Sequence, residues 1–122
     1  MSALGVLSSD MPHRIEHDAI EDGHLIAVSG EMDLAATPEL STVLLMAATS
    51  PGSLVVLDLS GVEFVDSTAL GTLLKAGAEI EAAGKRLRIV CAGGPVRRLL
   101  EMTNLTNRFK LCPSRDDAFT TA

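Results

Sequence analysis

The six residues 54–59, with the sequence LVVLDL, are apolar with almost no alternation. A strand with one solvated face alternates apolar and polar residues, whereas a strand that is covered on both faces does not. This run therefore predicts the central strand of a partly parallel sheet, whose crossover helices pack on its faces. At 122 residues, the chain has the length of one domain.

Turn and helix signals precede this strand. Residues 14–19 and 24–29 have the pattern of two strands, and the turn residues 21–23 between them predict a hairpin. Thr37, which is followed by proline, is expected to cap a first helix, because proline suits the first helical position. The Ser-Pro-Gly sequence at 50–52 is expected to end that helix.

The later half alternates helices and strands. A loop over 60–66 is expected to lead into a second helix, in which Leu70, Leu73 and Ile80 share an apolar stripe and which Gly84 ends. The remaining predicted elements are a strand over 87–92, a helix over 93–102, a weak strand over 108–111 and a short helix capped by Ser114. This order predicts an α/β fold with helices on a mixed sheet.

Charge is distributed unevenly along the chain, which has a net charge of −6. Through residue 66 there are 11 acidic residues and one basic residue, whereas the remainder has five acidic and nine basic residues. The acidic first half and the low aromatic content, three Phe and no Trp or Tyr, leave little to neutralise phosphates or stack on bases. We therefore expect no direct contact with nucleic acid. The basic pair Arg97 and Arg98 is expected to be a solvated helix face, with contact to a partner as the alternative.

The apolar runs are short, and none reaches the roughly 18 to 20 residues that cross a bilayer. The first ten residues have neither the basic nor the apolar region of a secretory signal, so no membrane insertion and a cytoplasmic location are expected. Cys91 and Cys112 are too few for a disulfide framework and lack metal-ligand spacing. Buried, reduced thiols are the expectation, with a reversible disulfide as the alternative, because both cysteines fall at the ends of predicted late strands.

Catalytic motifs are absent from the sequence. His13, His17 and His24 all lie near the beginning of the chain, and they form no recognisable set of nucleophile, base and orienting acid. They are expected to be surface residues. The Gly-Gly-Pro sequence at 93–95 lacks the lysine or later glycines of a phosphate-binding loop. We therefore expect no enzyme, no cofactor and no metal site.

Ser67 is the residue that combines an ordinary structural interpretation with a functional one. A serine after an aspartate at the start of a helix is a common N-cap, worth about 1 kcal/mol. Acidic residues surround it, however: Asp66 adjoins it, while Glu31 and Asp33 follow the end of another strand. The carboxyl ends of parallel strands share one edge of a sheet, which is where open α/β sheets place their sites. We expect these two loops to meet there.

Four segments resemble, in order and spacing, the STAS domains of bacterial anti-sigma factor antagonists: residues 30–33 (GEMD), 54–59, 64–71 (FVDSTALG) and 90–100 (VCAGGPVRRLL). The resemblance covers roughly residues 14–119. It implies a STAS fold, with a mixed, mostly parallel sheet of about five strands and about four helices mainly on one face. We expect one such domain over 10–122 after a flexible tail over 1–9. Many members have glycine where this chain has Ala69, a departure that is expected to favour the helix and to affect partner choice rather than phosphorylation.

The resemblance implies a partner-switching role. Unmodified, the protein would bind an anti-sigma factor that is also a serine kinase using ATP and Mg²⁺, and the sigma factor would be freed. Phosphorylation of Ser67, or less favourably Thr68, would reverse this, and a phosphatase would reset the protein. Partner contacts are expected at Glu31, Asp33, Asp66, Ser67, Thr68 and Leu70. The alternatives are a STAS scaffold module of a larger regulatory or transport complex, and a STAS domain that senses a small ligand or nucleotide.

Overall fold

The computed structural model describes residues 13–102 and 110–120, in which a five-stranded sheet carries four helices. The strands are β1 (His13–Ile20), β2 (Gly23–Met32), β3 (Leu54–Val65), β4 (Arg86–Val90) and β5 (Lys110–Cys112), and the helices are α1 (Thr37–Thr49), α2 (Ser67–Ala82), α3 (Gly94–Met102) and α4 (Arg115–Thr120). The strand order is β1-β2-β3-β4-β5, with β1 antiparallel to β2 and the other pairs parallel. The predicted α/β fold with a mixed, mostly parallel sheet is confirmed. The predicted tail over 1–9 and residue 108, the predicted start of the last strand, lie outside the described residues.

Both faces of the central strand are covered, as its unbroken apolar run predicts. Val55, Leu57 and Leu59 lie in the main core, to which α1, α2 and α3 contribute buried side chains. Leu54 and Val56 lie in a smaller cluster on the other face, which α4 covers with Ala118. The helices therefore lie mainly on one face. Each large apolar side chain that is fully buried in these clusters contributes about 2 kcal/mol to folding.

The β1–β2 hairpin turns at Asp22, which has a positive φ of 76°. Aspartate tolerates this conformation better than most residues do. The following Gly23 lies against β3, where a Cβ atom would collide with the carbonyl oxygen of Leu54. The predicted turn is therefore present, and its glycine is required by the close approach of two backbones.

Strand β3 is longer than its apolar run. The prediction of a loop over 60–66 is wrong, because β3 continues beside β2 to the pair Met32 and Val65, with register shifts along the way. Gly61 permits this continuation, since a Cβ atom there would lie 2.8 Å from the Cβ of Ser29. Ser60 and Gly61, with which the predicted loop begins, are instead an irregularity within β3. The extension carries β3 directly to the start of α2.

Helix α1 begins one residue earlier than predicted. Ala36, not Thr37, is its N-cap, and Ala36 provides no capping side chain. The hydroxyl of Thr37 instead donates to the carbonyl oxygen of Leu34 at 2.9 Å. A cap predicted from residue type is wrong here because the turn over 34–36 already has backbone hydrogen bonds, including Ala36 N–H to the carbonyl of Asp33 at 3.0 Å.

Two of the three histidines are buried, so their predicted surface location is wrong. His13 and His24 are each 8% exposed. His13 Nε2 lies 3.1 Å from Oε1 of Glu39 on α1. His24 Nε2 lies 3.1 Å from the carbonyl oxygen of Pro51, to which it donates, and His24 Nδ1 lies 2.8 Å from His17 Nε2. These contacts fasten the hairpin to both ends of α1.

The two cysteines are buried and reduced, as predicted. Cys112 pairs with Val90 in the parallel register, so those two side chains share a face of the sheet. Cys91, the next residue after Val90, lies in the main core on the opposite face. Burial raises the pKa of the Cys91 thiol, which keeps it protonated. The alternative of a reversible disulfide is wrong, because the sheet separates the two sulfurs.

Candidate functional site

Asp66 connects β3 to α2 and caps the helix. Its backbone is extended, with φ −94° and ψ 176°, and its Oδ1 accepts the N–H of Ala69 at 2.8 Å. Its carbonyl oxygen accepts the N–H of Leu70 at 3.0 Å, which closes the first turn. This is N-cap geometry. The interpretation of Ser67 as the cap is wrong, because β3 runs to Val65 and so the chain turns at Asp66.

Ser67 and Thr68 are the first residues of α2, and both are exposed. Within residues 13–102 and 110–120, the hydroxyl of Ser67 has no hydrogen-bond partner. The hydroxyl is therefore open to solvent at a helix N-terminus, where unpaired backbone N–H groups and the helix dipole favour negative charge. Because Asp66 caps the helix, chemical change at the Ser67 oxygen removes no contact that the fold uses.

The loops after β2 and β3 meet at Asp66. Its Oδ2 accepts the N–H of Leu34 at 3.1 Å, and its own N–H donates to the carbonyl oxygen of Met32 at 3.1 Å. In the other loop, Oδ1 of Asp33 accepts the N–H of Ala35 at 3.1 Å. One carboxylate thus caps α2 and holds the neighbouring loop. The expected convergence of the two loops at one edge of the sheet is what the structure has.

The other predicted contact residues differ in exposure. Glu31 is exposed and pairs with Phe64 in the β2–β3 register. Leu70 is half-buried against the main core, so only part of its side chain faces outward. Ala69, the departure from the family pattern, is fully buried in that core. Its methyl group is therefore not available for direct contact, and its effect on partner choice stays a prediction.

Sequence reasoning missed two apolar residues at this edge. Leu34 is 67% exposed and Phe64 is 51% exposed. Phe64 lies three residues before Ser67, and Leu34 donates to the same Asp66 carboxylate that caps α2. Large exposed apolar side chains are often contacts for other proteins. The signal in the sequence is that one of only three phenylalanines stands two residues before the aspartate–serine motif.

The electrostatic character of this edge is mixed. Four carboxylates, those of Glu31, Asp33, Glu63 and Asp66, lie in the two loops and strand ends, and none forms an ion pair with a lysine or arginine that the structure describes. The N-terminus of α2, which is the positive end of the helix dipole, lies at the same edge. The arrangement presents a nucleophilic hydroxyl on an acidic rim, with apolar side chains on either side.

The described residues contain neither a candidate metal-binding cluster nor a candidate membrane-spanning helix. Over 13–102 and 110–120, no three histidine, cysteine, aspartate or glutamate side chains are grouped so that they could bind a metal ion. In the same residues, no helix has both the length and the apolar character that crossing a membrane requires.

A model of the STAS domain family matches residues 14–118. An anti-sigma factor antagonist from Mycobacterium paratuberculosis has a similar structure, with 28% identity, a TM-score of 0.80 and coverage of 88% of this chain and 92% of that one. The phosphorylated form of the Bacillus cell fate determinant SpoIIAA is 15% identical, with a TM-score of 0.70 and coverage of 89% and 100%. A sulfate transporter family protein from Wolinella succinogenes is 16% identical, with a TM-score of 0.67 and coverage of 77% and 79%. Because the family match spans most of the chain and the fold agrees with it, this chain belongs to the STAS domain family.

Proposed function

We propose that this protein is an anti-sigma factor antagonist that is controlled by phosphorylation of Ser67. In its unmodified form it binds an anti-sigma factor, which is also a serine kinase, and the sigma factor is freed. One observation carries the proposal: the Ser67 hydroxyl is exposed and free of the helix cap, which Asp66 forms. The similarity to an anti-sigma factor antagonist at 28% identity supports the same role. The proposal places the protein in the cytoplasm, where sigma factors act.

A phosphate on Ser67 is compatible with the folded monomer. It adds about −1.5 to −2 charges at neutral pH. The N-terminus of α2, a helix of 16 residues, offers unpaired N–H groups and a favourable dipole to that charge. The modified monomer therefore keeps its fold.

When a partner docks, the same phosphate becomes unfavourable. A dianion in the interface loses its water next to the carboxylates of Glu31, Asp33 and Asp66. A penalty of about 3 kcal/mol would weaken binding roughly 100-fold, which is enough for a switch. Asp66 is the N-cap of α2 and so fixes the position of Ser67, the first residue of the helix. Asp33 stabilises the adjoining loop. Glu31, Thr68 and the outward part of Leu70 complete the proposed contact surface.

The test uses an anti-sigma factor kinase encoded beside the gene for this protein, together with ATP and Mg²⁺. Phosphorylation is located by mass spectrometry in the wild type, Ser67→Ala and Thr68→Ala. We expect modification of the wild type and of Thr68→Ala at residue 67, and none of Ser67→Ala. Modification of Thr68 in Ser67→Ala would contradict the assignment. If no candidate kinase modifies the wild type, the function is wrong and a scaffold role is favoured.

Binding is the second measurement. Pull-down of the anti-sigma factor is compared for the wild type, Ser67→Ala and Ser67→Asp. Ser67→Ala should retain the partner, and Ser67→Asp should retain less of it, because the added charge loses water on docking. Equal retention by the two variants would show that charge at this position does not control docking. A phosphatase that removes the group should restore binding by the phosphorylated wild type.

A further inference from the structure

An apolar groove lies between the end of β3, which leads to Ser67, and helix α3. It has a volume of about 200 Å³ and is lined by Glu63, Phe64, Val65, Val96 and Leu99. Val96 is 4% exposed and forms the floor, whereas half of the Phe64 side chain is open to solvent. A half-exposed aromatic ring offers a large apolar contact area, and aromatic residues are frequent energetic centres of interfaces.

The rim of the groove is negatively charged. Glu63 lies in the groove, and Glu31 is paired with Phe64 across the two strands. Neither arginine of α3 lines the groove. Arg97 is already engaged, since its Nε lies 3.2 Å from Glu101 and its Nη1 donates to the carbonyl oxygen of Cys91 at 3.0 Å, and Arg98 is exposed to solvent, as predicted. A partner that covers this rim must therefore bring positive charge to match the unpaired carboxylates.

We propose that this groove is part of the docking surface for the anti-sigma factor and that it receives an apolar side chain from a basic segment of that partner. The inference rests on the proposed function and adds to it the position and the chemistry of the contact. Ser67 is close to the groove in the chain, because Val65, which lines the groove at the end of β3, is two residues before it. A phosphate on Ser67 then lies next to the rim that the partner must cover.

The experiment measures the dissociation constant of the unphosphorylated protein for the kinase that modifies Ser67. Phe64→Ala should weaken binding by at least about 10-fold, because an aromatic contact at the centre of an interface is lost. The matched control is Phe119→Ala, since Phe119 is 43% exposed and lines a groove of about 300 Å³ with Ile20, Glu21 and Leu54, away from Ser67. That variant should bind within about twofold of the wild type.

Charge is tested with Glu63→Gln and the control Glu21→Gln. Binding of the wild type should weaken as the salt concentration rises from about 0.05 M to about 0.5 M, and Glu63→Gln should show a smaller salt dependence, unlike Glu21→Gln. Thermal unfolding confirms that each variant is folded.

The outcomes separate the two proposals. If the wild type is phosphorylated at Ser67 but Phe64→Ala binds as tightly as the wild type, the groove is not a docking surface and the proposed function stands. Equal weakening by Phe64→Ala and Phe119→Ala would also overturn the groove assignment. If no kinase modifies Ser67, the function falls, and the partner assigned to the groove falls with it.

Discussion

Asp66 and Ser67 are adjacent, and the structure gives them separate roles. The Asp66 carboxylate accepts two backbone N–H groups, those of Ala69 and Leu34, whereas the Ser67 hydroxyl accepts none. We expect Asp66→Ala to lower the free energy of unfolding by about 2 kcal/mol, through loss of the cap and of the second hydrogen bond. Ser67→Ala should change it by less than about 0.5 kcal/mol. Urea denaturation measures both.

The control for this prediction is Asp66→Asn. Asparagine caps helices as well as aspartate does, but its NH2 group cannot accept the N–H of Leu34, so this variant should recover the cap alone, about 1 kcal/mol of the loss. A cost for Ser67→Ala equal to that of Asp66→Ala would mean that the serine caps the helix after all.

The motif around Ser67 predicts a helix start but not which residue caps it. Both aspartate and serine are favoured N-caps, so residue type cannot choose between neighbours. The choice depends on where β3 ends, and that end is set by its pairing with β2 as far as Val65. The burial of Ala69 depends in turn on this start, because a shift of one residue rotates a helix by about 100°.

At the scale of elements, local signals predict most of the fold. The hairpin, the covered central strand and the end of α2 at Gly84, which has a positive φ of 84°, all follow from short-range patterns. The length of β3 does not, because Gly61 is explained by its contact with Ser29 on another strand. The burial of His13 and His24 could not be predicted for the same reason, since their partners, Glu39 and Pro51, are distant in sequence.

Helix α4 has only six residues and depends on tertiary contacts. Its Arg115 Nε donates to Oδ2 of Asp58 at 2.6 Å, on the face of the sheet that α4 covers. Burial by itself would raise the pKa of Asp58, but the Arg115 bond and the N–H of Ser60 at 2.9 Å outweigh it, so the pKa lies below its ordinary value of 3.8.

This lowered pKa predicts an acid-dependent loss of stability. Around the ordinary pKa the unfolded chain binds more protons at Asp58 than the folded protein does, so stability is present above that pH and declines as the pH falls through the lowered pKa. The free energy of unfolding, measured by urea between about pH 2.5 and 6, should therefore fall less steeply for Asp58→Asn than for the wild type.

Arg115→Met provides the matching variant, because it removes the main partner and keeps a long side chain. In this variant too, the free energy of unfolding should fall less steeply with decreasing pH than in the wild type. A variant that retains the full wild-type pH dependence would show that the arginine does not hold the pKa of Asp58 down.

At the scale of the whole molecule, the site and the core are separate. The main core lies between the sheet and helices α1 to α3, and Ser67 is exposed at one edge of the sheet. Phosphorylated protein should therefore unfold at the same temperature as unmodified protein or up to about 5 °C higher, because phosphate at a helix N-terminus is favourable by about 0.3–1 kcal/mol. Differential scanning calorimetry of the two forms measures this. A decrease of more than about 5 °C would mean that modification disrupts the fold rather than the interface.

The contacts of the capping carboxylate also have a consequence for the proposed phosphorylation. A serine oxygen that attacks ATP must give up its hydrogen, and the acidic group nearest to it in sequence directs both of its oxygens at main-chain amides. Asp66 is thus poorly placed to accept that hydrogen. If Ser67 is phosphorylated as proposed, we expect the deprotonating residue to come from the incoming kinase, and the protein should remain unmodified in ATP alone.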